Sequence, residues 1–316
     1  MSIDVLQPRY SSEKVQDMNL AILSLALLLA AGYPVSSMGS SADTSQGSVP
    51  LDFPKPLSPE LPYDVDLKAL SRLNRDKQIP EAQRLFDIFA WQAFIALNWP
   101  ALPDGTPDKS KNMGDTTQPR VWMNWRSNDT IFRADGSKPE PWDPATQLSY
   151  RKDLVLWRFT KMLNESRSPV NELDASMQAF TGPLVDQNGI FVRYESYMNK
   201  TQFDYIVENE LYNQEGQVEF VAVKGKPIQF PANQTEPTLQ HGSMGIKLAW
   251  KQLGGNDIPA RFFTTEAVVA STSYDENGKP VVTRSKQLMG LVGMHITALT
   301  QSSPTWIWAA MIIVWP

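Results

Sequence analysis

The sequence predicts an α+β protein, with an antiparallel sheet in the C-terminal half packed against N-terminal helices that include one fully buried helix. Three observations lead there. Between Glu81 and Asn98, Phe86, Phe89, Ala90, Ala93, Phe94 and Leu97 recur at helical spacing, while Leu85, Ile88, Trp91 and Ile95 make the other faces apolar too. A helix apolar all round belongs in a core. Beyond Gly182, apolar segments of strand length are separated by short turn signals. Strands do not alternate with helices there, which points to antiparallel rather than parallel pairing.

Residues 1–42 read as a secretory signal peptide. Arg9 and Lys14 precede a 13-residue apolar run, Leu20–Gly32, and Ser40-Ser41-Ala42 offers the small residues of a cleavage site before Asp43. The run is short of the roughly 20 residues that span a bilayer. Residues 43–64 contain five prolines and read as an extended linker or surface arm. Residues 65–316 then form a single α+β globular domain. Leu67, Leu70 and Leu73 predict a short amphipathic helix over Val65–Lys77. Pro80 suits the first turn of the buried helix, and Asn98-Trp99-Pro100 ends it. Gln92 lies on that helix, and its amide needs a partner.

Leu102–Pro144 reads as a long loop pinned by tryptophans. Asp143-Pro144 then opens an expected helix through Leu163. Asp186–Gly189 is a turn before a strand over Ile190–Tyr197, and Asn199 caps a helix bearing Phe203, Ile206, Val207 and Leu211. Strands are expected at Gly245–Leu253, Arg261–Thr272, Leu288–Leu299 and Trp306–Trp315, with a hairpin turn at Asp275-Glu276-Asn277-Gly278. The chain stops in the apolar run WIWAAMIIVWP, which raises the expectation of a C-terminus shortened relative to a longer protein.

With 42% hydrophobic and 20% charged residues the chain has material for a packed core. A formal net charge of −5 and the lack of any basic block argue against nucleic acid as a partner. There is no cysteine, so disulfides, thiolate metal sites, thiol nucleophiles and covalent haem attachment are excluded. No metal-ligand motif, Walker loop or dinucleotide fingerprint occurs, and no cofactor is expected. The expected partner is an unidentified small ligand or protein, with no stable membrane span once the leader is removed.

Few residues are candidates for chemistry. His241 and His295 are the only histidines. On a strand, His295 would share a face with Leu291, Gly293, Thr297 and Leu299. His241 lies in Gln240-His241-Gly242-Ser243-Met244-Gly245, where Ser243 resembles a nucleophile elbow but has glycine directly before it, unlike G-x-S-x-G. Glu195, Asp204, Glu208, Glu210 and Glu219 form the most acidic stretch and read as a solvated face. Trp122, Trp125 and Trp142 have polar neighbours and are the candidates for a ligand-stacking platform. Asn-x-Ser/Thr sequons begin at Asn128, Asn164, Asn199 and Asn233.

Phe86–Pro100 (FDIFAWQAFIALNWP) and Gly182–Asn213, together with the later GLVGMHI and TWIWA segments, resemble a group of exported bacterial proteins, some of them labelled cytochrome c-like. The resemblance implies no established activity and carries over no functional residue; the haem-attachment motif of that group has no counterpart here. The expectation from the residues is an exported, periplasmic or secreted, non-catalytic domain that binds a ligand or partner. The alternatives are a hydrolase, or the body of a cytochrome c-like redox protein without its haem region.

Overall fold

The structure is a computed structural model that describes residues 58–145, 147, 155–157, 184–234, 237–303 and 305–312. The expected leader, most of the Pro-rich segment and residues 313–316 lie outside them. Both helices and a curled, mostly antiparallel sheet are present, as an α+β fold requires.

The first helix, α1 (Leu67–Arg75), is capped by Asp66, whose carboxylate accepts hydrogen bonds from the backbone N–H groups of Lys68 and Ala69. The long helix α2 (Ile79–Leu97) carries Pro80 in its first turn. Its C-terminal half is core: Ala93, Ala96 and Leu97 have no exposed surface and Phe89 retains 4%. The expectation of a helix buried on all faces is corrected at Trp91, which is 40% exposed. Trp91 sits edge-on to Phe94 along the same helix. Gln92 finds its partners in the chain before α1, donating from Nε2 to the carbonyls of Ser58 and Glu60 at 2.8 and 3.1 Å. Those bonds lay the end of the Pro-rich segment along α2.

Seven strands form one sheet: β1 (Arg126–Ser127), β2 (Val155–Trp157), β3 (Arg193–Met198), β4 (Met244–Gln252), β5 (Thr264–Tyr274), β6 (Pro280–Ala298) and β7 (Ile307–Ile312). The order is β1-β3-β4-β6-β5-β2, and β7 also pairs with β6. Along one edge of β6, β5 covers Pro280–Gly290 and β7 covers Gly293–Ala298; β4 lies on the other edge, against Met289–Ala298. Cα atoms of β2 come within 8 Å of β3, so the sheet curls back towards closure.

Two expectations fail here. The helix expected through Leu163 is helical at Pro144, Ala145 and Gln147, but Val155–Trp157 is a strand that runs parallel to β5 with Val155 opposite Val268; residues 158–163 lie outside the described residues. β-branched and aromatic residues suit a pleated surface, and the edge of β5 supplies the partner strand. The hairpin strand at Val281 and the strand from Leu288 are also not separate. They are one 19-residue strand.

The inner face of the sheet makes the main core. Met244, Ile246, Leu248 and Trp250 of β4 alternate inward with Leu291, Met294, Ile296 and Ala298 of β6, beneath Phe89, Ala93 and Leu97 of α2. A second cluster unites Ile131, Met198, Phe203, Ile206, Leu211 and Phe220 around α4 (Lys200–Glu208), which follows the four-residue α3 (Asn128–Ile131). Asn199 caps α4 as its sequence predicts, accepting from the N–H of Gln202 at 3.1 Å.

Candidate functional site

The predicted site residues fall at separate places. Trp122 is wholly buried, edge-on to Tyr197 and Phe263, and Trp125 is 6% exposed in the same core. Trp142 packs on Phe203 in the second cluster. Their ring faces are taken up by packing, and the three do not meet as a platform. Polar neighbours in a loop proved to be no guide, because a loop is pinned by the side chains it buries.

Ser243 has no exposed surface, and its Oγ has no hydrogen-bond partner among the described residues, His241 and His295 included. Its glycine neighbour has a packing role. A Cβ on Gly242 would lie 2.0 Å from the Leu299 carbonyl oxygen and 2.7 Å from the Asn233 nitrogen, so only glycine lets these backbones approach. Asn199 binds the same knot, donating from Nδ2 to the Gly242 carbonyl at 2.8 Å. That bond and the burial of Asn199 and Asn233 leave neither sequon open to a glycan. His241 stacks on Tyr63, with ring centroids 3.8 Å apart and planes 5° from parallel. Burial pushes His241 below the ordinary imidazole value; a bond to the Pro62 carbonyl and the Glu60 carboxylate act the other way. The arrangement clips the N-terminal arm to the domain. It has no exposed nucleophile.

His295 is on the outer face, with Gly293 and Thr297 but without Leu291. The register of β4 on β6 slips between Ala249 and Trp250, so Ala249 faces Gly293 while Trp250 faces Leu291, and Val292 is the extra residue. One inserted residue switches the side-chain phase. Leu291 therefore joins the core and His295 leaves it. There His295 lies directly opposite Lys247 and edge-on to Trp308, with centroids 6.0 Å apart. Burial, and then the Lys247 ammonium, push the imidazole below its ordinary value. Asn128, Ser196, Lys247, His295, Thr297 and Trp308 line a small groove of about 20 Å³.

A larger opening lies at the other end of the inner face. Where the apolar rows of β4 and β6 stop, Gln252, Gln287 and Ser285 continue the inward alternation, beside Arg193 of β3 and Val269 of β5. They line a cavity of about 310 Å³ with Phe191. Gln252 donates to Gln287 at 3.2 Å, and Gln287 donates to Ser285 at 3.1 Å. Arg193 Nη1 donates to the Phe191 carbonyl at 3.0 Å. Glu195, one step along β3, is buried rather than solvated, because its carboxylate accepts from Tyr197 O–H and Trp250 Nε1–H, both at 2.6 Å. Sequence reasoning missed this cavity. The one signal for it was the run Ser285-Lys286-Gln287-Leu288-Met289, where inward positions turn from polar to apolar.

Among the described residues no group of acidic, histidine or cysteine side chains could hold a metal ion, and no helix is long and apolar enough to cross a membrane. No protein-family model matches the chain, and neither curated proteins nor solved structures give a match.

Proposed function

We propose that the chain is an exported, non-catalytic domain that binds a small polar molecule at the open polar end of the curled sheet. The supporting observation is the cavity of about 310 Å³ lined by Arg193, Gln252, Ser285 and Gln287. That volume is in the range of small-molecule sites, which pair a shaped hollow with a few placed polar groups. Its lining offers a guanidinium, two amides and a hydroxyl, groups that orient a ligand by hydrogen bonding. No carboxylate lines the cavity among the described residues, and Glu195, further along β3, has both oxygens engaged by Tyr197 and Trp250, which supports binding over acid–base chemistry. The leader-like run Leu20–Gly32 supports export to the periplasm or medium.

Binding is tested by thermal unfolding against a panel of small polar metabolites. A ligand at a hundredfold its Kd stabilises the folded protein by about 2.7 kcal/mol. The rise in midpoint should vanish in a Gln252→Leu/Gln287→Leu double variant. A panel that moves neither protein, or both equally, rejects the cavity as the site. Export is tested by N-terminal sequencing of the extracytoplasmic product: a start near Asp43 supports it, and a start at Met1 rejects it.

A further inference from the structure

The groove on the outer face is separate from that cavity, on the opposite side of the sheet, and its chemistry differs. Its two nitrogen bases, Lys247 and His295, are direct cross-strand neighbours on antiparallel strands. Like charges placed directly opposite destabilise a sheet. The pair is tolerated because His295 is held neutral by burial and by Lys247. Lys247 is the only charged side chain among the described residues lining the groove. Its Nζ lies 4.3 Å from the centroid of the Tyr194 ring, which holds the ammonium over the face of the sheet.

Small residues make the room. Gly245 shares the outer face with Lys247 and His295 and brings no side chain into the groove it lines. Thr297 is engaged with the Gly245 carbonyl at 3.2 Å, which leaves the Asn128 amide and Ser196 hydroxyl as polar groups at the rim. Trp308 of β7 stands as the side wall. About 20 Å³ holds one water-sized group, so a single oxygen of an oxyanion enters while the rest of the head group stays outside.

We infer that this groove is a small-oxyanion site, in which a carboxylate or phosphate group bridges Lys247 and His295 while the body carrying it rests against Trp308. An anion bound there favours the imidazolium, so His295 becomes a second donor as it binds. The site thus couples anion binding to partial proton uptake by His295.

The test uses the whole protein and its two histidines, whose imidazole resonances are assigned by comparison with His295→Gln. The His295 pKa is measured by proton NMR in chloride, acetate and inorganic phosphate at equal ionic strength. It should rise by about one unit in acetate or phosphate relative to chloride, the usual effect of a close opposite charge. The anion giving the larger rise identifies the preferred head group. Lys247→Met should raise the chloride value and abolish the difference between salts, whereas Lys247→Arg should retain it. The same pKa in all three salts, or a salt difference that survives in Lys247→Met, overturns the inference. Because the cavity lies on the other face, this outcome is independent of whether a polar metabolite binds there.

Discussion

The two halves of β6 obey different physics. From Met289 to Ala298 the strand has β4 on one edge and β5 or β7 on most of the other, and its inner residues pack under α2; Met289 and Met294 have no exposed surface. From Pro280 to Leu288 it pairs with β5, and Val281 and Val282 are each 41% exposed. The first stretch is a strand because burial selects it; the second is a strand because a tight turn and a partner hold it. A ribbon without a packed face is marginal on its own. The half with little to bury is where the polar cavity opens, and the buried half is where a bulge turns His295 outward.

The difference can be broken by mutation, beginning with the helix that covers the buried half. Phe89→Ala should cost about 3–5 kcal/mol, the usual range for a buried phenylalanine. An unchanged denaturant midpoint would show that α2 does not seal this half of β6. Next in size is a matched pair along the strand itself. Met294→Ala should cost about 2–5 kcal/mol, while Val282→Ala should stay within about 0.5 kcal/mol. Equal costs in chemical denaturation would erase the distinction between the halves.

The turn that creates the exposed ribbon comes third. Gly278 has φ +74°, and Asp275 accepts through its carboxylate from the N–H groups of Asn277 and Lys279. Gly278→Ala should cost roughly 1–2 kcal/mol for placing a side chain in the left-handed region. Hydrogen exchange should show that cost as faster opening of Ser273–Val282, with Met289–Ala298 unaffected. Uniform acceleration along β6 would mean that the halves open together.

The smallest effect expected is on acid stability, since both histidines are only partly buried. His241 and His295 are pushed below the ordinary value, so both are neutral in the folded and unfolded chain above about pH 6.5. As pH falls below that, the unfolded chain takes up protons first and stability declines, until the pH has passed the folded values. His241→Gln and His295→Gln should each flatten part of this slope in midpoints measured across pH. A slope unchanged in both variants would place the acid response elsewhere.

Much of the fold was legible because it rests on local rules. The period of Phe86–Leu97, the Asn199 cap and the Asp275–Gly278 turn each act within a few residues, and each stands where the sequence puts it. The sites were less legible. His295 was visible as a residue, but Lys247, Trp308, Gln252 and Gln287 become neighbours only through strand pairing.

What the sequence determined by itself was the class of fold, the helix that lines the core and most strand positions, since periodicity and turn chemistry are properties of a segment. Tertiary structure alone decided which face each residue serves. Val155–Trp157 became a strand because β5 offered an edge. Leu291 and His295 parted because one extra residue opposite Ala249 and Trp250 shifted the phase. Ser243 was buried because Asn233 and Leu299 close over Gly242. Each outcome depends on a partner remote in the chain, and the energy of such a contact is written in neither segment alone.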